Sequence, residues 1–141
     1  MPGQDSRDLP IGHKWEPLQF EATAELNQQF LFAEEDFDPK YWDSSNGKVP
    51  IVHPSLVLNM SNPTRSPSYN LPEGAGGIHV RDETTFLNPA RIGDKLTVTW
   101  EIIERYEKRE RKYRITSVQV KNQEGLMILR RRLHGTVSEK L

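Results

Sequence analysis

Residues 33–59, AEEDFDPKYWDSSNGKVPIVHPSLVLN, carry the densest chemistry in this chain. An acidic turn, Glu35-Asp36-Phe37-Asp38-Pro39, leads to Tyr41 and then to a Pro50-Ile51-Val52-His53-Pro54 step into an apolar segment. A carboxylate such as Asp36 can orient or deprotonate water. A phenol such as Tyr41 is a poor base at neutral pH but can donate a proton or a hydrogen bond. His53 is of the side-chain type that changes charge near physiological pH. Each has a plainer reading beside the chemical one. Asp36 serves equally as a surface carboxylate at a helix end, Tyr41 as a packed aromatic with a wet hydroxyl, and His53 as a satisfied structural histidine. Asn59 lies inside an apolar run, where a buried amide needs partners; it either ties down the 36–41 turn or faces a ligand. His79, on a strand further on, is structural or belongs to the same region. His53, His79 and Asp36 show no metal-ligand spacing, so the sequence gives no metal site.

The elements that must hold these residues follow from periodicity. A short strand is expected over 18–24 and a helix over 24–36, with Leu26, Phe30 and Ala33 on one face and Leu31 beside them. Glu34, Glu35 and Asp36 would end that helix against its own dipole, a placement that costs a few tenths of a kcal/mol or more and hints at another purpose. Asp38-Pro39 starts a further turn, with Asp as cap and Pro at the first position. His53-Pro54 opens a helix of about nine residues, apolar on most sides, which Asn62-Pro63 stops. Residues 64–77, rich in Pro, Gly, Ser and Asn, form a long loop of the kind that becomes a lid or an interface. Strands follow over 78–87, 95–103, 113–120 and 126–137. Leu96, Val98, Trp100 and Ile102 share one face of the second of these. The order is strand, helix, buried helix, then four long antiparallel strands: an α+β arrangement whose sheet can cover its concave face only with the buried helix.

Composition narrows the function classes. The chain has 141 residues, enough for one domain with its own core. Residues 1–17 are expected to be flexible or wrapped over the surface, and 18–141 to form a single domain. Hydrophobic content is 35% and charged content 28%, polar enough for part of the apolar surface to need a partner subunit. A net charge of −1 supplies no field for nucleic acid or anionic membrane. No helix-turn-helix or stacking platform is present, and no run approaches the roughly 18 apolar residues of a membrane span. The absence of cysteine and of an apolar leader fits a cytoplasmic protein. The basic run over 105–114 reads as a solvated hairpin or as a contact to the phosphates of a ligand. Arg130-Arg131-Arg132 in the last strand must use both faces, so at least one arginine meets a partner, a carboxylate or a ligand phosphate.

Over residues 20–137 the chain resembles the MaoC-like, or R-specific enoyl-CoA hydratase, superfamily of the hot-dog fold. The family's Asp-Phe-Asn-Pro-x-His corresponds to Asp36-Phe37-Asp38-Pro39-Lys40-Tyr41, and its Pro-Ile-x-His-Gly to Pro50-Ile51-Val52-His53-Pro54. Its Phe-x-x-Pro-x-x-x-Gly-Asp corresponds to the segment from Phe86 through Pro89 to Gly93-Asp94. The resemblance implies an antiparallel sheet wrapped around a central helix, usually a dimer whose sheets join. It implies an acyl-CoA thioester as ligand, with coenzyme A part of the substrate and no separate cofactor.

The departures fall on the chemical positions. Tyr41 stands where the family has its catalytic histidine, Pro54 where it has a glycine, and Asn59 where a serine is common. Pro54 has no N–H, and the N–H groups of Ser55 and Leu56 are expected to remain free at the helix start. Losing one oxyanion donor typically costs roughly 2.7–4 kcal/mol. The pattern looks like the N-terminal type of MaoC-like domain, which often shapes a pocket beside a catalytic partner. Asp36 and Tyr41 are the catalytic candidates, and His53, Ser55, Asn59 and His79 the substrate-binding ones. The protein is then a pocket-forming member of an enoyl-CoA hydratase or 3-hydroxyacyl dehydratase system, in a homodimer or in a heteromer with a catalytic subunit. The alternatives are an acyl-CoA thioesterase of the same fold and a non-catalytic acyl-CoA-binding dimer. A structural dimer would have its pocket plugged by Trp42 or Tyr69.

Overall fold

The structure, a computed structural model, describes residues 9–138. Strand β1 (Leu18–Glu21) leads to helix α1 (Ala24–Glu34), a short 3-10 turn (Pro39–Tyr41) and helix α2 (Pro54–Met60). A second 3-10 turn (Pro63–Arg65) precedes β2 (Gly76–Phe86), β3 (Lys95–Lys108), β4 (Arg111–Lys121) and β5 (Met127–Ser138). The five strands form one antiparallel sheet in the order β1-β3-β4-β5-β2. The α+β arrangement expected from the sequence, a curled sheet holding one helix, is what the chain adopts.

The alternation in β3 is the backbone of the core. Leu96, Val98, Trp100 and Ile102 are all buried, and Val118, Val120, Leu129 and Leu133 continue that surface across the neighbouring strands. Leu56 and Val57 of α2 pack into the same cluster. Burying a side chain of this size stabilises by about 1.5–3 kcal/mol, so these two residues are a main part of what holds the seven-residue helix on the sheet. The helix is shorter than expected, seven residues against about nine, and is not buried on most sides. Leu58, Asn59 and Met60 are only half-buried.

Thr23 caps α1 by accepting from the Leu26 N–H at 3.1 Å. The helix stops at Glu34 because Glu35 turns left-handed, at φ 52°, and the Asp36 N–H then bonds back to the Leu31 carbonyl at 3.0 Å. Asp36 therefore stands beyond the helix, not in its last turn. Asn27 and Leu31 are the buried positions of α1, whereas Leu26 and Phe30 pack at its margin.

The described part of segment 1–17 lies along the sheet. Gly12, His13 and Trp15 share backbone hydrogen bonds with Trp100 and Ile102 of β3, and Leu9 and Trp15 are core residues. The composition of the segment, rich in Pro, Gly and charge, conceals these two anchors. At the other side of the sheet, β2 is an edge strand of eleven residues with almost no buried face. Its exposed side chains include Ile78, Val80 and Phe86. The basic run over 105–114 is the β3–β4 hairpin, turned by Arg109 and Glu110, both at positive φ.

Arg131 is 3% exposed and joins sheet to helix. Its guanidinium donates to the Leu58 carbonyl at 2.9 Å, to Ser61 Oγ at 2.7 Å, to Asn62 Oδ1 at 3.1 Å and to Asp82 Oδ2 at 2.6 Å. Of the three consecutive arginines, this is the one aimed inward, and a carboxylate receives it. Its charge sits at the C-terminal end of α2, where the dipole favours a cation. Trp100 fixes the same end by donating from Nε1 to the Ser61 carbonyl at 2.8 Å. Burial works to raise the Asp82 carboxyl, but hydrogen bonds from Arg131 and Thr84, with the charges of Arg131 and His79, outweigh it and hold the group below its ordinary 3.8. A carboxyl depressed in the folded state contributes stability above its unfolded value and loses it as pH falls through the folded one. Asp82→Ala should lower unfolding free energy in urea by about 3 kcal/mol, because it strands a buried cation. The stability of the wild type should fall as pH drops below about 4, and Asp82→Asn should flatten that acid limb. An unchanged limb would show that other carboxylates govern it.

Candidate functional site

Asn27 of α1 is 1% exposed and clamps the two chemical segments together. Its Nδ2 donates to the Tyr41 carbonyl at 3.0 Å, and its Oδ1 accepts from the His53 N–H at 2.8 Å. The buried amide that ties down the 36–41 turn is thus Asn27. Asn59, given that role as one option from the sequence, accepts instead from Arg65 and faces the cavity described below. Asn27 falls inside an otherwise ordinary amphipathic helix, and only its buried position distinguishes it.

The clamp sets His53 against Asp36. His53 Nε2 lies 3.0 Å from Asp36 Oδ2, and His53 Nδ1 accepts from the Ser55 N–H at 3.0 Å. Because Nδ1 is an acceptor, the proton sits on Nε2 and is donated to the carboxylate. His53 is thereby the N-cap of α2, a task usually given to Ser, Thr, Asp or Asn. Its ring also packs on Tyr41, with centroids 4.8 Å apart. Tyr41 is buried, with Lys40 Nζ over its ring at 5.1 Å from the centroid. Asp36 keeps 41% of its side chain exposed, and its Oδ1 also accepts from the Asp38 N–H at 3.3 Å.

This arrangement corrects one expectation. The N–H groups of Ser55 and Leu56 are not free at the helix start: Ser55 donates to the His53 ring, and Leu56 donates to the His53 carbonyl at 3.0 Å. Proline supplies no N–H at position 54. The helix start closes on itself and presents no ready oxyanion donor. Both nitrogens of His53 are also engaged, so the Asp36 carboxylate is the group at this end able to take a proton from water. His53 steadies it.

A cavity of about 630 Å³ opens between the helices and strands β2, β4 and β5. Ser55, Asn59 and His79 line it, together with Phe30, Asp82 and Arg131. Asp36, Tyr41 and His53 do not; Ser55 and Glu34, each two residues away in sequence from His53 and Asp36, mark where the cavity comes nearest in the chain. The six candidates therefore divide into an Asp36–Tyr41–His53 cluster and a set on the cavity wall. Trp42 and Tyr69 do not act as plugs: Trp42 is exposed, and Tyr69 packs beside Trp15 on the cavity wall. Sequence reading missed Asn27 and Asp82. Among the described residues no three His, Asp or Glu side chains are grouped to hold a metal ion, and no helix is long and apolar enough to cross a membrane.

No family model and no curated protein sequence matches the chain. Solved structures do. A monoamine oxidase regulatory protein from "Archaeoglobus fulgius" superposes with a TM-score of 0.78 at 24% identity, covering 99% of this chain and 96% of that one. The R-hydratase PhaJ1 from Pseudomonas aeruginosa gives 0.77 at 22% identity, over 94% and 84% of the two chains. A MaoC-like dehydratase from Rhodospirillum rubrum gives 0.78 at 18%, over 99% and 100%. The HadBC 3R-hydroxyacyl-ACP dehydratase complex from Mycobacterium tuberculosis also matches, at 0.73 and 15%, over 94% and 99%. At these identities the likeness establishes the fold. It is the hot-dog fold shared by MaoC-like dehydratases and R-hydratases, as the resemblance in sequence implied.

The two jobs of His53 can be separated. His53→Ala should lower stability by about 1 kcal/mol through loss of the cap. His53→Asn, whose Oδ1 can accept from Ser55, should recover most of that loss in thermal unfolding without restoring the contact to Asp36. Equal destabilisation by both variants would show that the cap contributes little.

Proposed function

We propose that this chain is a MaoC-type acyl-CoA protein of the enoyl-CoA hydratase or 3-hydroxyacyl dehydratase class, and that it forms part of a site completed by a second hot-dog chain. The observation that carries this reading is the 3.0 Å contact between Asp36 and His53 at the head of the sheet-held helix. Hydration of a 2-enoyl thioester needs a base for water, an acid for the α-carbon and donors for the enolate oxygen. Asp36 can take the first role. Tyr41, the other catalytic candidate, is packed against the ring of His53 and serves best as an orienting group. The closed start of α2 leaves the enolate donors to another source. A partner chain supplies them most directly, a reading in keeping with the HadBC dehydratase, a complex whose chain has a similar fold. Substrate enters as its coenzyme A thioester, so no separate cofactor is invoked, and the setting is the cytoplasm.

Crotonyl-CoA hydration, assayed on the chain alone and with any co-purifying hot-dog subunit, tests the division. Activity should appear only with the partner and fall at least a hundredfold in Asp36→Asn. Full activity of the isolated chain would overturn the accessory role, and hydrolysis of acyl-CoA without hydration would replace it with a thioesterase.

The partner's place is the free edge of β2. An exposed edge of this length with apolar side chains invites pairing with another strand. The protein should run in light scattering as a dimer or heteromer, and Val80→Asp with Phe86→Asp should release a folded monomer. A wild type that is monomeric at micromolar concentration would rule this edge out.

A further inference from the structure

The β2 side of the cavity is built in a way that β-strand alternation alone would not produce. In a regular strand, residues three apart point to opposite faces. Between His79 and Arg81 the β2–β5 register shifts by one residue. His79 pairs with Gly135 and Asp82 with Leu133, two positions on the same face of β5. The bulge therefore turns both side chains into the cavity, which they line together. Bulges of this kind commonly re-aim side chains beside functional sites.

The two groups are complementary. His79 Nε2 lies 3.7 Å from Asp82 Oδ2. Arg131 and Thr84 hold the Asp82 carboxylate in place, one on each oxygen. A carboxylate has about four acceptor positions, so Asp82 can still accept from a ligand while the imidazole, half exposed, can donate to one. The buried Arg131 is already committed to four acceptors. The buried Thr116 and, on α2, Asn59 line the same cavity. A saturated chain pressed against this surface would strip water from a carboxylate, an amide and an imidazole and return no hydrogen bonds. The charged side chains on the cavity wall are of both signs, Glu34 and Asp82 with Arg114 and Arg131, so the lining supplies no net field for an ionised ligand.

We propose that the His79–Asp82 end of the cavity recognises a neutral polar acyl group, one bearing a hydroxyl or an amide, in preference to a saturated chain of the same length. This rests on the acyl-thioester reading above and names its substrate class. Asp82, kept ionised by its neighbours, strengthens the acceptor side of the site.

Binding of unreactive saturated thioesters tests the proposal without turnover. ω-Hydroxyacyl-CoAs and their methyl-terminated isosteres, matched atom for atom at acyl lengths of about four to eight carbons, would be titrated by calorimetry into the protein in its native assembly. The hydroxyl member should bind at least about tenfold tighter at one length or more. That preference should vanish in His79→Leu, a change on the half-exposed cavity wall, while the methyl member keeps or gains affinity. Equal or tighter binding of the methyl member at every length overturns the polar-group assignment and leaves the acyl-thioester reading standing. No binding of either member at any length removes that reading, and this inference with it.

Discussion

One guanidinium holds the architecture in register. Arg131 projects from the inner face of β5 and meets the last carbonyls of α2, the loop that follows it, and a carboxylate on β2. A helix of seven residues has little cooperativity of its own. It persists because two apolar side chains anchor it to the sheet and because its negative end rests on a buried cation. The same cation sets where β2 lies relative to the helix. Arg131 and three of its partners, Leu58, Asn62 and Asp82, are part of the lining of the cavity between them. Desolvating an arginine is expensive, and the four acceptors around it explain why the fold tolerates it.

The opposite end of α2 is closed as carefully. His53 caps the helix with one ring nitrogen and holds Asp36 with the other, and Asn27 fixes the backbone on both sides. This is a rigid way to present a carboxylate to solvent. It is also a costly one for catalysis, since the donors that a developing oxyanion would need are consumed in making the cap. The start of α2 thus presents one proton-accepting group and no free N–H from Ser55 or Leu56.

Much of this was legible in the sequence. The four apolar residues of β3 were readable from strict alternation, because a half-buried strand imposes a period of two. The contact between Asp36 and His53 was not readable, since the two lie seventeen positions apart and the resemblance paired Asp36 with the position held by Tyr41. Other features left no local trace. Asn27 looks like any polar residue on a helix, and its importance depends on what α1 packs against. The bulge at His79 breaks the period on which strand reading relies. Leu9 and Trp15 sit among prolines, glycines and charges, so composition hid two core anchors. The free N–H groups expected at Ser55 and Leu56 ignored the possibility that the preceding histidine would fold back onto them.

The two margins of the sheet are unequal. On the β1 side, β3 is bordered by two short pieces, residues 12–15 and 18–21, each too brief to template much growth. On the other side lies the eleven-residue β2. A molecule with a single extendable border can join another only once, because the act of joining uses that border up. Strand pairing through β2 would therefore be self-terminating: the border that receives a companion is covered by it, and no second border of that length is left to extend.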